Sequence, residues 1–413
     1  MEKKVAVIDL KSFYASVECS VRHLDPFTTP LVCCDPNRGP NSVVMSATPF
    51  LKATYGIPNV CRKRDLPSLP NMIFATPRME LYLTISSKIV SLFLDYVAEE
   101  DLHVYSVDES FLNLGPYLSM YGKDAQEIVK DIQAEIMKRF GLTATAGIGP
   151  NPFLAKIALD VEGKKKPPYI AEWSMDDVPT KLWNVDPIDK IWGISNGTKS
   201  HLARIGIRTL KELAHADESL LVKEFGIMGH QLHDLSNGRD ESNIQEKYIP
   251  KETSFSYGQT LIHPYSKSEA LILMREHVDE LTYRLRRNGC KTKLISLFVE
   301  YQGGGAFSKQ RVLPVSTDDT DILFKEVKDL YMNGVLNVPL VGLSLNFGKL
   351  NQSNDVQLFL FEDNEALLER SDLSRCIDAV NETYGKNTVL RATSLLKEST
   401  VIQRHMQIGG HKR

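Results

Sequence analysis

The sequence predicts a multidomain α+β protein, and three observations support this prediction. Its 413 residues provide material for more than one domain, since domains typically contain about 100 to 200 residues. Strand-like and helix-like segments alternate through residues 4–171, whereas residues 172–242 form short helical segments separated by glycine-containing turns. Strand patterns return at 253–350 around two helical segments, which indicates a second α+β unit.

Composition narrows the class of protein. Hydrophobic residues make up 42% and charged residues 24%, which is typical of folded protein. A net charge of −3 means that any attraction to nucleic acid must come from a local basic surface. No stretch approaches the roughly 18 apolar residues of a membrane span, so we expect a cytoplasmic protein without membrane association. The six cysteines lack metal-ligand spacing, and we expect buried, reduced thiols.

The first strand and helix place an acid at a strand end. Residues 4–9, KVAVID, form an apolar run with β-branched residues that predicts a strand, and KSFYASVEC follows with helical spacing. Asp9 is therefore expected at the carboxyl end of this strand. Residues 30–35 and 41–47 predict a second pair of strands, followed by a short helix, FLKATYG, closed by Gly56.

From residue 79 onward the pattern predicts a sheet covered by helices. Apolar residues at three- and four-residue spacing over 79–98 indicate a long amphipathic helix. Residues 102–115, LHVYSVDESFLNLG, predict two strands that meet in a tight turn at Asp108 and Glu109. AQEIVKDIQAEIMKRFG is a predicted helix ended by Gly141, LTATAGIG a strand and NPFLAKIALD a helix.

Three acids stand at the ends of these strands: Asp9, Asp108 and Glu109. Any one of them alone is more simply a strand-end acid facing water. Together they would repel one another unless cations neutralise them, and Mg²⁺ prefers such oxygen ligands. Two Mg²⁺ ions about 3.5–4 Å apart would support an in-line phosphoryl transfer. The cluster therefore predicts a two-metal site.

Three motifs carry a resemblance to a known family. DLKSFYASVE, the SVDES turn and AGIGPNPFLAKIALD, in this order and spacing, resemble the Y-family (translesion) DNA polymerases, and most of all the UmuC-like branch found in Gram-positive bacteria. The resemblance is specific up to about residue 240 and weaker over 250–360. It implies a right-hand polymerase with a palm (1–12 and 79–171), small fingers (13–78), a helical thumb with helix-hairpin-helix elements (172–242), a linker (243–252), a separate α+β little finger (253–350) and a tail (351–413).

The resemblance also implies roles for the acids. Asp9 and Asp108 match the shared ligands of two Mg²⁺ ions, and the backbone carbonyl of Leu10 matches a further ligand of the nucleotide-side metal. Glu109 matches the acid nearest the primer terminus, which is the active-site residue of the family. No side chain is assigned as a general base.

Further residues match the family's nucleotide site. Tyr14 matches the steric gate under the incoming sugar, and Phe13 lines the same floor, although spacing alone would make both rings core aromatics. Lys156 follows the turn at Gly147 and Gly149, at the start of a helix where N–H groups could meet a triphosphate, and it matches the family's triphosphate lysine. Without the motif it would be an ordinary solvated lysine.

The fingers segment, SATPFLKATYG, departs from the family pattern. Phe50 occupies an aromatic slot, but Ala53 stands where relatives carry a basic residue, with Lys52 one step earlier. We expect Lys52 to contact phosphate, and Ser46 and Ala47 to lie beside the templating base. Either the alignment slips by one residue or this branch binds its triphosphate differently.

Two regions are candidates for binding DNA. The glycine turns at 193–197 and 226–229 resemble helix-hairpin-helix elements, which donate N–H groups to phosphate, although the first is degenerate and an ordinary turn is the alternative. Lys199 adds positive charge there. Residues 281–316 hold seven bases against one acid and would grip the duplex backbones, unless they form only a solvated face. These bases are Arg284, Arg286, Arg287, Lys291, Lys293, Lys309 and Arg311.

A short peptide after the last domain resembles a clamp-binding motif. Residues 357–361 read QLFLF, similar to the peptide by which bacterial polymerases bind the sliding clamp (beta). Gln357 would enter a polar pocket, and Leu358, Leu360 and Phe361 would be apolar anchors. An edge strand of the last sheet is the alternative.

These inferences predict a template-directed DNA polymerase of the translesion type. It would add deoxynucleotides, from deoxynucleoside triphosphates, to the 3′ end of a primer–template DNA, in DNA damage tolerance and repair, and would be nucleoid-associated when on DNA. A nucleotide cyclase would share the metal-binding sheet but has no use for Tyr14. A DNA- and clamp-binding accessory protein without robust catalysis is the other alternative.

Overall fold

The computed structural model describes residues 3–36, 39–40, 42–246, 249–250, 253–353 and 364–412. The chain divides into two compact units, Met1–Lys247 and Tyr248–Arg413. The predicted clamp-binding peptide, 357–361, lies outside the described residues. Within the described ranges, none of the helices has the length and apolar character that crossing a membrane requires.

The first unit begins with the predicted strand and helix. Its first elements are β1 (Val5–Leu10), α1 (Phe13–Ser20), β2 (Leu31–Cys33), β3 (Val43–Val44), β4 (Ser46–Ala47), α2 (Pro49–Tyr55), β5 (Cys61–Arg62), β6 (Ile73–Ala75) and α3 (Met79–Phe93). β2 pairs antiparallel with β4 and parallel with β6, which makes a small three-stranded sheet, and β3 pairs with β5. α2 ends, as predicted, at Gly56, whose φ of 65° suits glycine.

The larger sheet of this unit has β1 at its centre. The elements that complete it are β7 (Leu102–Val104), β8 (Glu109–Asn113), α4 (Leu118–Tyr121), α5 (Ala125–Phe140), β9 (Ala144–Gly149), α6 (Pro152–Ala158) and β10 (Ile170–Glu172). The strand order is β10-β9-β1-β8-β7, and β1 runs antiparallel to both neighbours. The predicted turn lies slightly earlier than expected, because the N–H groups of Tyr105 and Ser106 both donate to the Glu109 carbonyl.

Glycines let α6 lie directly on β9. A Cβ atom at Gly147 would sit 2.0 Å from the Ala155 carbonyl oxygen, and one at Gly149 would sit 2.6 Å from the Ala155 nitrogen. Real Cβ atoms do not approach so closely, so both positions require glycine. α6 continues into a π-helical turn, Leu159–Gly163, which is fixed to the same strand by the close approach of Gly163 to the Ala146 carbonyl.

Short helices complete the first unit, as the glycine-containing turns predict. They are α7 (Asn196–Arg204), α8 (Leu210–Ala214), α9 (Glu218–Phe225) and α10 (Ile227–Ser236). Ser195 caps α7 by accepting a hydrogen bond from the Thr198 N–H group. Gly226, with a φ of 61°, joins α9 directly to α10. Their core includes the buried side chains of Trp173, Leu202 and Leu221.

The second unit is the predicted separate α+β domain. Its elements are β11 (Phe255–Tyr265), α11 (Ala270–Arg287), β12 (Cys290–Tyr301), β13 (Ala306–Thr317), α12 (Thr320–Gly334), β14 (Leu340–Gly348) and β15 (Asn351–Gln352). The sheet has the order β11-β14-β12-β13, and β15 pairs with β12. α11 and α12 pack on one face of this sheet, through a core that includes Leu281, Leu297, Val327 and Leu345.

The tail folds onto the second unit. Its elements are α13 (Asn364–Tyr384), α14 (Val401–His405), β16 (Gln407–Ile408) and β17 (His411–Lys412). Thr400 donates to the buried Glu276 of α11, and Arg391 pairs with Asp279 of the same helix at 3.0 Å. A hydrogen bond and an ion pair therefore anchor the described part of the tail to α11.

Cysteine burial differs in part from the prediction. Cys19, Cys33, Cys34 and Cys61 are buried free thiols, as expected. Cys290 is only partly buried, and Cys376 is exposed on α13. The expected burial is wrong for Cys376. That expectation rested on the residue type alone, whereas only one face of α13 packs against the domain.

Candidate active site

Three predicted acids meet at one end of the central strand. Asp9 of β1 lies opposite Glu109 of β8 and opposite Thr145 of β9 in the ladder register. The Leu10 N–H group donates to the Asp108 carbonyl at 2.9 Å. The sheet therefore brings together Asp9, Leu10, Asp108 and Glu109, which sequence analysis proposed as one site.

Burial makes negative charge costly at this position. Burial raises the pKa of Asp108, and the nearby charge of Asp9 adds to the shift. A hydrogen bond from the Ser106 hydroxyl to Asp108 Oδ1, at 2.7 Å, lowers this pKa but does not cancel the shift. Burial likewise raises the pKa of Glu109, although Lys156 opposes it. Such a cluster favours cations, which relieve the repulsion between carboxylates.

Two lysines supply positive charge in the structure. The Lys164 ammonium lies 3.0 Å from Asp9 Oδ2, and that of Lys156 lies 2.7 Å from Glu109 Oε1. Asp160 contacts both ammonium groups, at 2.9 Å from Lys164 and 3.3 Å from Lys156. Burial lowers the pKa of Lys164, but the charges of Asp9 and Asp160 outweigh this effect and hold it above the ordinary value.

The donor set suits a hard divalent cation. Three carboxylates and the Leu10 backbone carbonyl are all oxygen ligands, which Mg²⁺ prefers. Among the described residues, however, no three acidic, histidine or cysteine side chains already converge as a metal cage. Asp9 and Glu109 are instead engaged by ammonium groups. The residues therefore fit Mg²⁺ in chemistry, and a metal ion would have to compete with lysine.

Aromatic rings lie beside the acids. Tyr14 stacks on Tyr82 of α3 with a centroid distance of 4.7 Å, and the buried Phe13 ring lies 5.5 Å from Tyr14. Burial raises the pKa of Tyr14, and the charge of Asp108 adds to the shift. Tyr14 follows Leu10, whose N–H group contacts the Asp108 carbonyl, by four residues. Ser12, with a φ of 50°, turns the chain from β1 into α1 and so sets the position of both rings.

A buried ion cluster that the sequence did not indicate supports these rings. Glu18 of α1 is fully buried and accepts hydrogen bonds from Arg78, at 2.7 Å, and from the Tyr82 hydroxyl, at 2.7 Å. Burial raises the pKa of Glu18, but the hydrogen bonds from Arg78, Tyr82 and Arg22 lower it below the ordinary value. In the sequence, the one feature that could have indicated this cluster is an acid on the apolar face of a short helix.

The fingers residues divide into core and surface positions. Lys52 is half-buried, donates to Asn59 at 2.9 Å and lies within the field of Asp9 and Asp108, whereas Ala53 is exposed. Ala47 is buried in the core of the small sheet, and Phe50 packs against this core. The Ser46 hydroxyl donates to the Ser12 carbonyl at 3.3 Å.

The start of α6 offers no free anion site of the kind expected. Asn151 accepts from the Leu154 N–H group, and Asp240 accepts from the Phe153 N–H group at 3.0 Å. The Lys156 side chain is only 9% exposed, compared with 34% for Lys164. Lys164 is thus the more accessible lysine, and the run of three lysines at 164–166 was its one signal in the sequence.

Acids from outside the basic segment neutralise several of its bases. Arg286 pairs with Asp378 of the tail at 2.6 Å, and Arg311 pairs with Glu326 and Asp329 of α12, each at 2.6 Å. Arg284 pairs with Glu280. Lys291 is buried, whereas Arg287, Lys293 and Lys309 are exposed. In the first unit, Lys199 pairs with Asp189 at 2.9 Å.

The sheet of the second unit has one face without helices, here called the open face. Side chains that alternate with the core residues form rows, mostly of small polar groups, across all four strands. One row runs Ser256, Asn346, Ser296 and Gln310, and the next runs Gly258, Ser344, Phe298 and Ser308. Apart from Gly258 and Phe298, these residues have hydroxyl or amide side chains, which offer hydrogen-bond donors without a fixed charge.

Comparisons with known proteins identify the family of this chain. A model of the impB/mucB/samB family matches residues 8–160, and a model of the family's C-terminal domain matches 252–360. The putative UV-damage repair protein UvrX of Bacillus subtilis (strain 168) is 35% identical over 99% of this chain and 98% of its own length. DNA polymerase IV 2 of the same organism is 29% identical over 99% of each chain.

A solved structure shares the fold. The Y-family DNA polymerase chimera Dbh-Dpo4(243-245)-Dbh superposes with a TM-score of 0.67, over 84% of this chain and 98% of its own, at 21% sequence identity. The family models cover more than half of the chain, and the relative at 35% identity spans nearly all of it. The chain therefore belongs to the impB/mucB/samB family, the Y-family DNA polymerases that its three sequence motifs resemble.

Proposed function

We propose that this protein is a template-directed DNA polymerase of the translesion type, which extends a primer 3′ end with deoxynucleotides. The observation that carries this proposal is the position of Asp9 and Asp108 at adjoining strand ends, with the Tyr14 ring beside them. Relatives named DNA polymerase IV support the same activity. The proposed domains are those expected from the sequence, from palm to little finger.

Asp9, Asp108, Glu109 and the Leu10 carbonyl would hold two Mg²⁺ ions. When bound, such ions neutralise the charge that develops on the attacking and leaving oxygens of a phosphoryl transfer. Ser106 orients the Asp108 carboxylate through its hydrogen bond, so this ligand is held ready. Because binding and charge neutralisation carry most of this chemistry, no protein general base is required.

Tyr14 is proposed to lie under the sugar of the incoming nucleotide. Its ring is held on one side by the stacked Tyr82 and is followed by the buried Phe13, so it cannot move away to admit a 2′-hydroxyl. Phe50, Ser46 and Ala47 stay proposed neighbours of the nascent base pair. Ala47 would act through its small size, since its side chain is buried.

Lysines near the acids are proposed to bind the triphosphate. Lys52 and Lys164 both lie in the field of Asp9, and both side chains keep access to solvent. The Lys156 side chain is more deeply buried and forms an ion pair with Glu109. Its expected contact with phosphate therefore requires this ion pair to break. Lys164 is therefore the better candidate of the two lysines near α6.

DNA binding is proposed for the thumb and for the second unit. Lys199 and the two glycine turns would meet the backbone in the thumb. In the second unit the open face would donate hydrogen bonds to phosphates, and the exposed Arg287, Lys293 and Lys309 would add charge. Arg284, Arg286, Lys291 and Arg311 are proposed only as second contributors, because acids or burial already engage them.

Clamp binding and a role in DNA repair complete the proposal. The peptide with Gln357, Leu358, Leu360 and Phe361 would tether the polymerase to the sliding clamp (beta). Participation in damage repair rests on the relative named a putative UV-damage repair protein.

Primer extension tests the central proposal. The purified protein, a primed undamaged template, Mg²⁺ and four deoxynucleoside triphosphates should give stepwise extension, and Asp108→Ala should abolish it. Asp131→Ala is a matched control, since this acid pairs with Lys123 on the surface of α5. If the wild-type protein binds DNA but never extends it, with clamp supplied, the accessory-protein alternative is favoured.

A further inference from the structure

One carboxylate bridges the two lysines that engage the metal-site acids. Asp160 lies in the π-helical turn after α6, and its two oxygens contact Lys164 at 2.9 Å and Lys156 at 3.3 Å. Lys164 also contacts Asp9, and Lys156 also contacts Glu109. The five groups thus form a chain of alternating charge from one proposed metal ligand to the other.

This chain opposes metal binding unless the lysines withdraw. A divalent cation at Asp9 repels an ammonium group that lies 3.0 Å from the same carboxylate. Lys164 then needs another acceptor, since an ammonium group without a counter-charge is costly in a partly buried site. Asp160 already provides that acceptor to Lys164, and it does the same for Lys156.

The backbone around Asp160 is fixed, so that only side chains need to move. Gly163 packs against the Ala146 carbonyl of β9 so closely that a Cβ atom there would lie 2.4 Å away. The Lys11 ammonium donates to the Lys164 carbonyl at 2.7 Å, which holds the backbone of that residue. The lysine side chains are flexible, and both can rotate about a stationary Asp160.

We propose that Asp160 is a positioning residue that accepts the ammonium groups of Lys164 and Lys156 when divalent cations bind Asp9 and Glu109. The inference rests on the proposed metal site. It assigns to Asp160 no contact with substrate or metal. Its effect is to lower the cost of displacing two resident cations.

Cation binding to the full-length protein without DNA provides the test. Free Mn²⁺ is measured by electron paramagnetic resonance during a titration of the wild type, Asp160→Asn and Glu162→Gln. Glu162 is a matched control from the same turn, because it pairs with Lys181 and not with the two lysines. We expect Asp160→Asn to weaken binding about tenfold and Glu162→Gln to leave it within about twofold. Equal binding by all three proteins would overturn the inference.

A double-mutant cycle separates this role from simple loss of a negative charge. Lys164→Met removes the competing ammonium group, so it should raise Mn²⁺ affinity more in the Asp160→Asn background, where this group has lost its other acceptor, than in the wild type. If Asp160 acts only through the overall field, the two effects will be additive, and the inference is wrong. Thermal unfolding of each variant checks that it is folded.

Kinetics give an independent readout. Asp160→Asn should raise the Mg²⁺ concentration for half-maximal primer extension about tenfold and leave the rate at saturating Mg²⁺ within about twofold. A lower rate at every Mg²⁺ concentration would contradict the inference. Asp108→Ala separates the two proposals: if it does not weaken Mn²⁺ binding, the metal site itself fails, whatever Asp160 does.

Discussion

The guanidinium of Arg286 forms a two-pronged ion pair with Asp378, at 2.6 Å and 3.0 Å, across 92 residues of sequence. Arg286 lies in the last turn of α11 in the second unit, and Asp378 lies on α13 of the tail. The Arg286 side chain is only 11% exposed, and it also donates to the Thr320 hydroxyl at 3.1 Å. This arginine therefore fastens the tail to the rest of the second unit, and Asp378 already offsets the charge that it could offer to DNA.

We predict that Arg286→Ala destabilises the second unit by about 3 kcal/mol, because it leaves a partly buried Asp378 without its partner. Arg287→Ala is the control. This neighbouring side chain is 66% exposed and lies 3.9 Å from Glu382, so its loss should cost less than about 0.5 kcal/mol. Urea unfolding of both variants measures the difference. Equal stabilities would show that the ion pair contributes nothing.

The open face leads to a different expectation for DNA binding. Asn346→Asp places a negative charge in the middle of this face, where a phosphate would lie within a few ångströms. A like charge at about 4 Å costs at least about 1 kcal/mol, so affinity for primer–template DNA should fall about fivefold or more at low salt.

Asn337→Asp makes the same chemical change in the exposed loop between α12 and β14, outside the rows of the open face. Fluorescence anisotropy with labelled DNA at two salt concentrations compares the two variants. Only Asn346→Asp should weaken binding, and the difference should shrink as salt screens the repulsion. Equal losses in both variants would mean that DNA does not contact the open face.

Tyr14 is expected to exclude ribonucleotides by its bulk. Tyr14→Ala should raise the use of ribonucleoside triphosphates, relative to deoxynucleoside triphosphates, by about 10- to 100-fold, since the steric barrier to a 2′-hydroxyl is removed. Tyr14→Phe keeps the ring and should keep the discrimination. Single-nucleotide extension kinetics give the ratio for each protein. A rise in Tyr14→Phe equal to that in Tyr14→Ala would assign the selectivity to the hydroxyl group instead.

The sequence was sufficient for features that depend on nearby residues. Apolar periodicity predicted β1, α1 and α5 within a residue or two, and the glycines at 56 and 141 marked two helix ends correctly. The three acids were found because each ends or begins a strand. Their closeness was an assumption that the motif resemblance supported, since pairing of β1 with β8 and β9 is a long-range choice that periodicity does not specify.

The features that the sequence did not predict are ion pairs between residues that are far apart in the chain. The basic segment 281–316 reads as strongly positive, but Asp378, Glu326 and Asp329 reach it from other elements after folding. Nothing in the sequence distinguishes Lys164 from the two lysines that follow it. Its contact with Asp9 depends on where the π-helical turn sets its side chain.

The carboxylate of Glu18 makes stability depend on pH in a defined direction. Arg78, Tyr82 and Arg22 stabilise its ionised form in a fully buried position, so its folded pKa lies below the unfolded value of about 4.3. A group with a lowered folded pKa contributes stability above the unfolded pKa. That contribution is lost as the pH falls through the folded pKa.

Arg78→Met should therefore be the more damaging change at this cluster, because it removes two hydrogen bonds from a buried carboxylate and leaves it only Arg22 and Tyr82 as partners, at a cost of about 3 kcal/mol at pH 7. Glu18→Gln should cost less, since the half-exposed Arg78 can be hydrated. Its deficit relative to the wild type should be largest at neutral pH and should shrink as the pH falls below about 4. Arg139→Met, at a surface pair with Glu135, serves as the control and should cost less than about 1 kcal/mol. Urea unfolding at several pH values measures the free energy of unfolding of each variant. If the loss of stability in Glu18→Gln grows on acidification, the fold stabilises the protonated form of Glu18 instead of the ionised form.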